Sequence, residues 1–299
     1  MSRFLQLDDA QGLFFSNELK QIEAKMFEQK FPDLEAEKLL PSRIQVDPAF
    51  DSYEFRKMDM RGEAVALSGK EDGVPRVDFD ADKSEEKLQE WGLGFSFSIF
   101  EIQKAARLGM NLSNLGAMAV RRGLAEKLNY MALLGMSSRG ITGLFNQSGT
   151  TTASTTGTAW GSASSTNILD DMFAMVDTAP NNTYDIESPR VLLLPKTNLR
   201  IIEKKVRDSA ADSTTVLEFF KKARPNVTIM GANYLDDAGT AGKPLAVAYD
   251  PAQVHWLVSV PFVALAPQED GFNIKVNCYA KGGGVVTAYP KSITYGDLD

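Results

Sequence analysis

One histidine and one cysteine limit the chemistry this sequence can hold. His255 and Cys278 are the sole residues of their kinds, so any Ser-His-Asp or Cys-His arrangement would have to run through His255 or Cys278. His255 stands before Trp256-Leu257-Val258 in a strand-like run, where a histidine is far more often structural than catalytic. No Gly-x-Ser-x-Gly nucleophile elbow occurs. The run Gly239-Thr240-Ala241-Gly242-Lys243 resembles a phosphate loop, but its glycines are too close together and Pro244 stands where Ser or Thr should hold magnesium. The segment WGLGFS from Trp91 has two glycines with the right first gap and no third. Gly282, Gly283 and Gly284 read as a turn between two late strands. A zinc site needs more ligands than one His and one Cys supply. The pairs Asp236-Asp237 and Glu269-Asp270 adjoin glycine-containing turns and read as solvated turn residues ahead of a calcium or magnesium site. The sequence therefore predicts no catalytic residue, no metal ligand and no cofactor.

Composition points the same way. The chain has 299 residues, 43% hydrophobic and 24% charged, as in an ordinary globular protein, long enough for one large domain or two intertwined lobes. The lone cysteine cannot close an internal disulfide and fits a reducing compartment. A net charge of −7 argues against a dedicated nucleic-acid binder, which needs clustered Lys and Arg. No run approaches the ~20 consecutive apolar residues of a membrane span, and the first residues lack the basic-then-apolar order of a secretory signal.

The elements that would position any function follow from periodicity. Residues 16–30 read as a helix with Leu19, Ile22, Met26 and Phe27 on one stripe; it is either a surface helix of its own domain or an arm that reaches a neighbour. Residues 51–81 read as a long β-hairpin. Tyr53, Phe55, Val65, Leu67, Val77 and Phe79 alternate with polar residues around a turn rich in Gly, Asp and Pro. An isolated hairpin is marginal in water, so this one must lean on its own domain or on another subunit. Trp91, Leu93, Phe95 and Phe97 then alternate with Gly92, Gly94, Ser96 and Ser98, a half-buried strand whose small face suggests close packing against a helix or a neighbouring backbone. Ser98 and Glu101 have capping-box spacing, with a helix following up to Gly109. A longer helix over 113–134 carries Leu115, Met118, Ala119, Arg122, Ala125, Leu128, Met131 and Ala132 on the face expected to be apolar. The Ser/Thr/Gly/Ala-rich stretch 147–167, with Trp160 its one large side chain, reads as a boundary between lobes. Alternating helices and strands follow to about residue 249, and β-strands close the chain from His255.

Arm, hairpin, strand into long helix, α/β lobe and closing strands form an order that resembles the Hong Kong 97 fold of tailed-phage capsid proteins and encapsulin shells. Within it, Gly92–Ile102, Arg121-Arg122, Glu126-Lys127 and Gly143–Asn146 resemble the ordered motifs of one capsid family first catalogued as a domain of unknown function. The resemblance is strongest over about 14–146. It implies an α+β fold with an N-terminal arm (1–47), an extended loop (48–90), a peripheral domain with a spine helix (91–146 and 262–299) and an axial domain (147–261). It implies a shell subunit that assembles through pentamers and hexamers into an icosahedral virion in the bacterial cytoplasm. The implied partners are further copies of itself, portal, scaffolding and decoration proteins, and enclosed double-stranded DNA, with no membrane. The six hairpin residues named above are then the expected subunit interface. Some such capsids cross-link through a loop lysine; Lys70 has no assignable acceptor, so no cross-link is expected. An encapsulin-type nanocompartment shell and a soluble α/β hydrolase are the alternative readings.

Overall fold

The computed structural model describes residues 34–61, 78–107, 112–208 and 212–298. The helix expected over 16–30, the hairpin turn with Lys70, and Gly109 lie outside these residues.

Two sheets share the work of the core. The first has the order β1 (Arg43–Gln45), β10 (Val254–Ala264), β12 (Asn273–Thr287), β3 (Asp78–Ser98), β2 (Ser52–Arg61), with β11 (Gln268–Asp270) beside β12. The second has the order β4 (Thr151–Thr152), β13 (Thr294–Asp297), β9 (Leu245–Tyr249), β5 (Val191–Pro195), β8 (Thr228–Ala232). A small pair, β6 (Val206–Asp208) and β7 (Asp212–Thr215), stands apart. Thus β13, from the segment expected in the peripheral domain, pairs in the second sheet. The first residues of β10, from the segment expected in the axial domain, pair in the first.

The run Val191–Leu194 is apolar without alternation because both faces of β5 are covered. Leu192 and Leu194, with Ala246 and Ala248 of β9, face a core formed by α4 (Ser165–Thr183), α5 (Lys196–Lys204) and α6 (Val216–Ala223). Val191, Leu193, Val247 and Tyr249 face the other way, into a core shared with the first sheet and the long helix α3 (Leu112–Leu134). Short side chains cap the smaller helices as their spacing predicts. Thr215 and Glu218 close a reciprocal capping box on α6, and the Ser98 amide donates to Glu101 Oε2 at 2.9 Å where α2 (Ile99–Arg107) begins. The helix α4 has Ser164 as its N-cap, its hydroxyl accepting from the Asn167 amide.

The segment 34–46 belongs to this core. Glu35 accepts from Lys196 Nζ and from the Asn233 amide, each at 2.6 Å. The short helix α1 (Ala36–Leu39) buries Ala36, Leu39 and Leu40, and Asn129 of α3 accepts from the Ala36 amide at 2.8 Å.

Three expectations change. The glycines at 282–284 form no turn but lie within β12. They leave room for close neighbours: Leu128 above Gly282, and the Thr142 carbonyl against Gly284, where a Cβ would collide. The small face of β3 is not packed against a helix. Gly92, Gly94 and Ser96 are exposed; a Cβ at Gly94 would press on the neighbouring Val276 carbonyl, while the close approach to the helix is made by the helix's own glycines, Gly116 against Phe95 and Gly123 against Leu93. The apolar face of α3 is also offset in its first half. Val120, Leu124, Leu128, Met131 and Ala132 are buried, whereas Met118 is 59% and Leu115 36% exposed. Seating the helix through Gly116 and Gly123 turns those two side chains outward.

Candidate functional site: the projecting hairpin and its root

The strand β3 is 21 residues long because the charged stretch 82–90 is strand as well. Its second half, Leu88–Ser98, pairs with β12. Its first half pairs with β2 alone, in antiparallel register from Ser52 opposite Lys87 to Arg61 opposite Asp78. Ten residues at roughly 3.4 Å each make a two-stranded ribbon about 34 Å long. Among the described residues, it has no third strand. The ribbon is poorly matched to itself: Glu54 stands opposite Glu85 and Arg56 opposite Lys83, like-charge placements that weaken a strand pair. Two contacts offset part of this: Glu54 meets Arg56 on its own strand and Lys83 diagonally across, each at 3.4 Å.

The root of the ribbon is built with more care. Tyr53 and Phe55, stacked at 6.3 Å between ring centroids, are half-buried against Val46, Leu88, Leu257 and Val286 of the same chain. The root therefore covers these two expected interface residues itself. Val65, Leu67 and Val77 lie outside the described residues, as does the side chain of Phe79, whose backbone registers with Met60. Met58, further out, is 74% exposed. On one side of the root, Lys281 of β12 binds Asp51 and Glu90 at 2.7 and 3.1 Å. On the other, Thr142 donates to Glu86 Oε1 at 2.7 Å, leaving Glu86 Oε2 buried without a hydrogen bond. Burial pushes the Glu86 carboxyl above its ordinary range, against the lowering effect of the Thr142 bond.

A second exposed apolar region escaped the sequence reading. Phe100 of α2 and Phe272 of the turn before β12 meet as tilted rings at 5.8 Å between centroids and are both mostly exposed, beside Ile99. The spacing of α2 gave it an apolar face; nothing in the spacing said that this face would be left uncovered.

The groups that could do chemistry are scattered. His255 registers with Val286 inside the first sheet, and Cys278 is buried on β12, its thiol pushed up by burial. The Gly239–Lys243 loop turns its Thr240 amide to Asp297 Oδ1 at 3.1 Å, so a carboxylate occupies the place a phosphate would need. Asp270 pairs with Lys275 across the β11–β12 turn. Among the described residues, no group of three or more His, Cys, Asp or Glu is placed to hold a metal, and no helix is long and apolar enough to cross a membrane.

What the molecule offers, then, is extended surface: a long ribbon, an open sheet face and uncovered aromatics. A model of the major capsid protein family matches residues 62–298. The chain belongs to that family. Among solved structures it is similar to the capsid of Myoviridae phage XM1, at 17% identity over 95% of this chain and 98% of that one, with a TM-score of 0.83. It is also similar to the capsid of a native GTA particle, at 11% identity over 98% and 99%, TM-score 0.64, and to a virus-like particle from Pyrococcus furiosus, at 12% over 88% and 91%, TM-score 0.51. No curated protein matches the sequence. At these identities the structures speak for the fold, and the fold of this major capsid protein is that of phage capsid subunits. The role of the chain is structural.

Proposed function

We propose that this capsid protein is the head subunit of a tailed phage, with the Hong Kong 97 fold, assembling through pentamers and hexamers around double-stranded DNA and catalysing no reaction. Residues 48–90 act as the extended loop, 1–47 as the N-terminal arm, with its last part, 34–46, rooted in the subunit's own core, the first sheet with α3 as the peripheral lobe, and the second sheet with α4 to α6 as the axial lobe. Portal, scaffolding and decoration proteins complete the set of partners. A phage head is preferred to a nanocompartment shell because the family is that of capsid proteins.

The observation that carries this reading is the ribbon beyond Phe55: paired only to itself, mismatched in charge and attached to a subunit whose cores close without it. Its outer apolar residues, Val65, Leu67, Val77 and Phe79 in the sequence, gain cover when a neighbour arrives. Burying a side chain of this size is worth roughly 1.5–3 kcal/mol, so the ribbon contributes on assembly and little before it. Deleting 60–76 and joining the ends through a short Gly-containing turn keeps Tyr53 and Phe55 in place. The expected result is an unchanged circular dichroism spectrum and thermal transition, with no particles. Unfolding of the isolated subunit, or normal shells, would remove the reading.

A further inference from the structure

We propose that Lys281 is a positioning residue: its ammonium sets the direction in which the hairpin leaves the subunit and so presents it to a neighbouring copy. The second half of this statement rests on the reading above; the first does not.

Lysine is almost never fully buried unless paired. Lys281 sits in the middle of β12, registered with Glu90 on one side and Val260 on the other, and its side chain is 3% exposed. An ammonium carries three protons, and three oxygens receive them: Pro48 O at 3.0 Å, Asp51 Oδ1 at 2.7 Å and Glu90 Oε1 at 3.1 Å. Their places in the chain give the contact its meaning. Pro48 and Asp51 lie in the turn that leads into β2, and Glu90 lies on β3 where it returns. The support of β12 ends two residues further on, at Leu88 opposite Gly283. The cation therefore grips both strands at the fork where ribbon leaves sheet. The hydrogen bond to Asp51, the main cause, holds the Lys281 ammonium above the ordinary lysine range, against a smaller effect of burial.

The partners are unequal. The Asp51 and Glu90 side chains are 88% and 65% exposed, so water can solvate either carboxylate once released. The ammonium has no such exchange. Removing one acid should thus be mild. Removing the cation leaves two carboxylates facing each other across the fork, and like charges push the strands apart. The fold itself is held by other means: the Leu88 amide bonds Asp51 O at 2.8 Å, and the apolar cluster around Tyr53 and Phe55 persists. The effect falls on direction more than on folding.

The test uses the full chain with spin labels at Met58→Cys on the ribbon and Lys222→Cys on α6, in a Cys278→Ser background. With Lys281 present, one narrow distance distribution is expected. Lys281→Met should broaden or shift it, with the thermal transition little changed and the particle yield reduced about tenfold or more, an order-of-magnitude expectation from lost pre-organisation. Lys281→Arg, which keeps charge and donors, should restore both. An unchanged distribution in Lys281→Met would overturn the positioning role. A broadened distribution with normal shells would keep the positioning role and overturn the intersubunit reading of the hairpin. Should Lys281→Met fail to fold, Asp51→Ala with Glu90→Ala removes both side-chain acceptors at exposed positions; there too a broadened distribution supports the proposal and an unchanged one overturns it.

Discussion

At the scale of single residues, the polar groups that matter most are those with every bond satisfied or one conspicuously missing. Asp171 on α4 is 2% exposed and accepts from the Thr156 amide at 2.6 Å, the Thr156 hydroxyl at 3.2 Å and Trp160 Nε1 at 2.9 Å. It turns the Ser/Thr-rich stretch 147–167 into an ordered cover for the second core. Asp171→Ala should strand the buried indole and amide donors and cost about 1–3 kcal/mol, measured by urea denaturation of the unassembled subunit. Glu86 is the opposite case. Its folded-state pKa is raised from 4.5, so the folded state holds the proton more tightly than the unfolded chain. The stability this contributes is present below the unfolded value and is lost as pH rises through the folded one. Glu86→Gln should remove that fall, giving a flatter stability curve from pH 4.5 upward; a curve as steep as that of the original chain would show that Glu86 is not its source. Neither site was legible in the sequence. Trp160 was visible as the one large side chain of its stretch, but its partner lies eleven positions on, and spacing does not say which carboxylate turns inward. His255, by contrast, stands in a strand as its apolar neighbours predict.

At the scale of elements, periodicity was most informative where one face meets solvent and one meets the core. The strand ending at Ser98, the long helix over 112–134 and the fully apolar β5 could all be read from residue spacing. What could not be read was how far β3 extends, since a ribbon with two exposed faces has no apolar alternation to reveal it. The sequence also could not show that three consecutive glycines serve close packing. In β12 they allow the chain after α3 to lie against the sheet, with the Val285 amide bonding Thr142 O at 2.8 Å. The added Cβ of Gly284→Ala would meet the Thr142 carbonyl first, which is backbone, and then the Ile141 side chain. The expected cost is about 1–3 kcal/mol or more, with a lowered thermal midpoint; a wild-type midpoint would show that the strand can shift at little cost. The offset face of α3 has the same root. Two helix glycines decide its seating, and an apolar stripe counted by threes and fours cannot register them.

At the scale of the molecule, two cores share the strands β5 and β9, and a smaller buried cluster holds the root of the ribbon. The order of elements in the sequence already resembled a capsid subunit, and the family match and the fold agree with it. Tyr53 and Phe55 are two of the residues expected from their alternation to meet a neighbour, and in the structure both are half-buried against Val46, Leu88, Leu257 and Val286 of their own subunit. A capsid subunit closes into a shell with copies of itself, and electron microscopy of particles purified from cells producing the full chain shows whether this one does. Closed particles of uniform size built from subunits of 32.8 kDa are expected. A dispersed single subunit, persisting at high concentration and with head-assembly partners co-produced, would contradict this expectation.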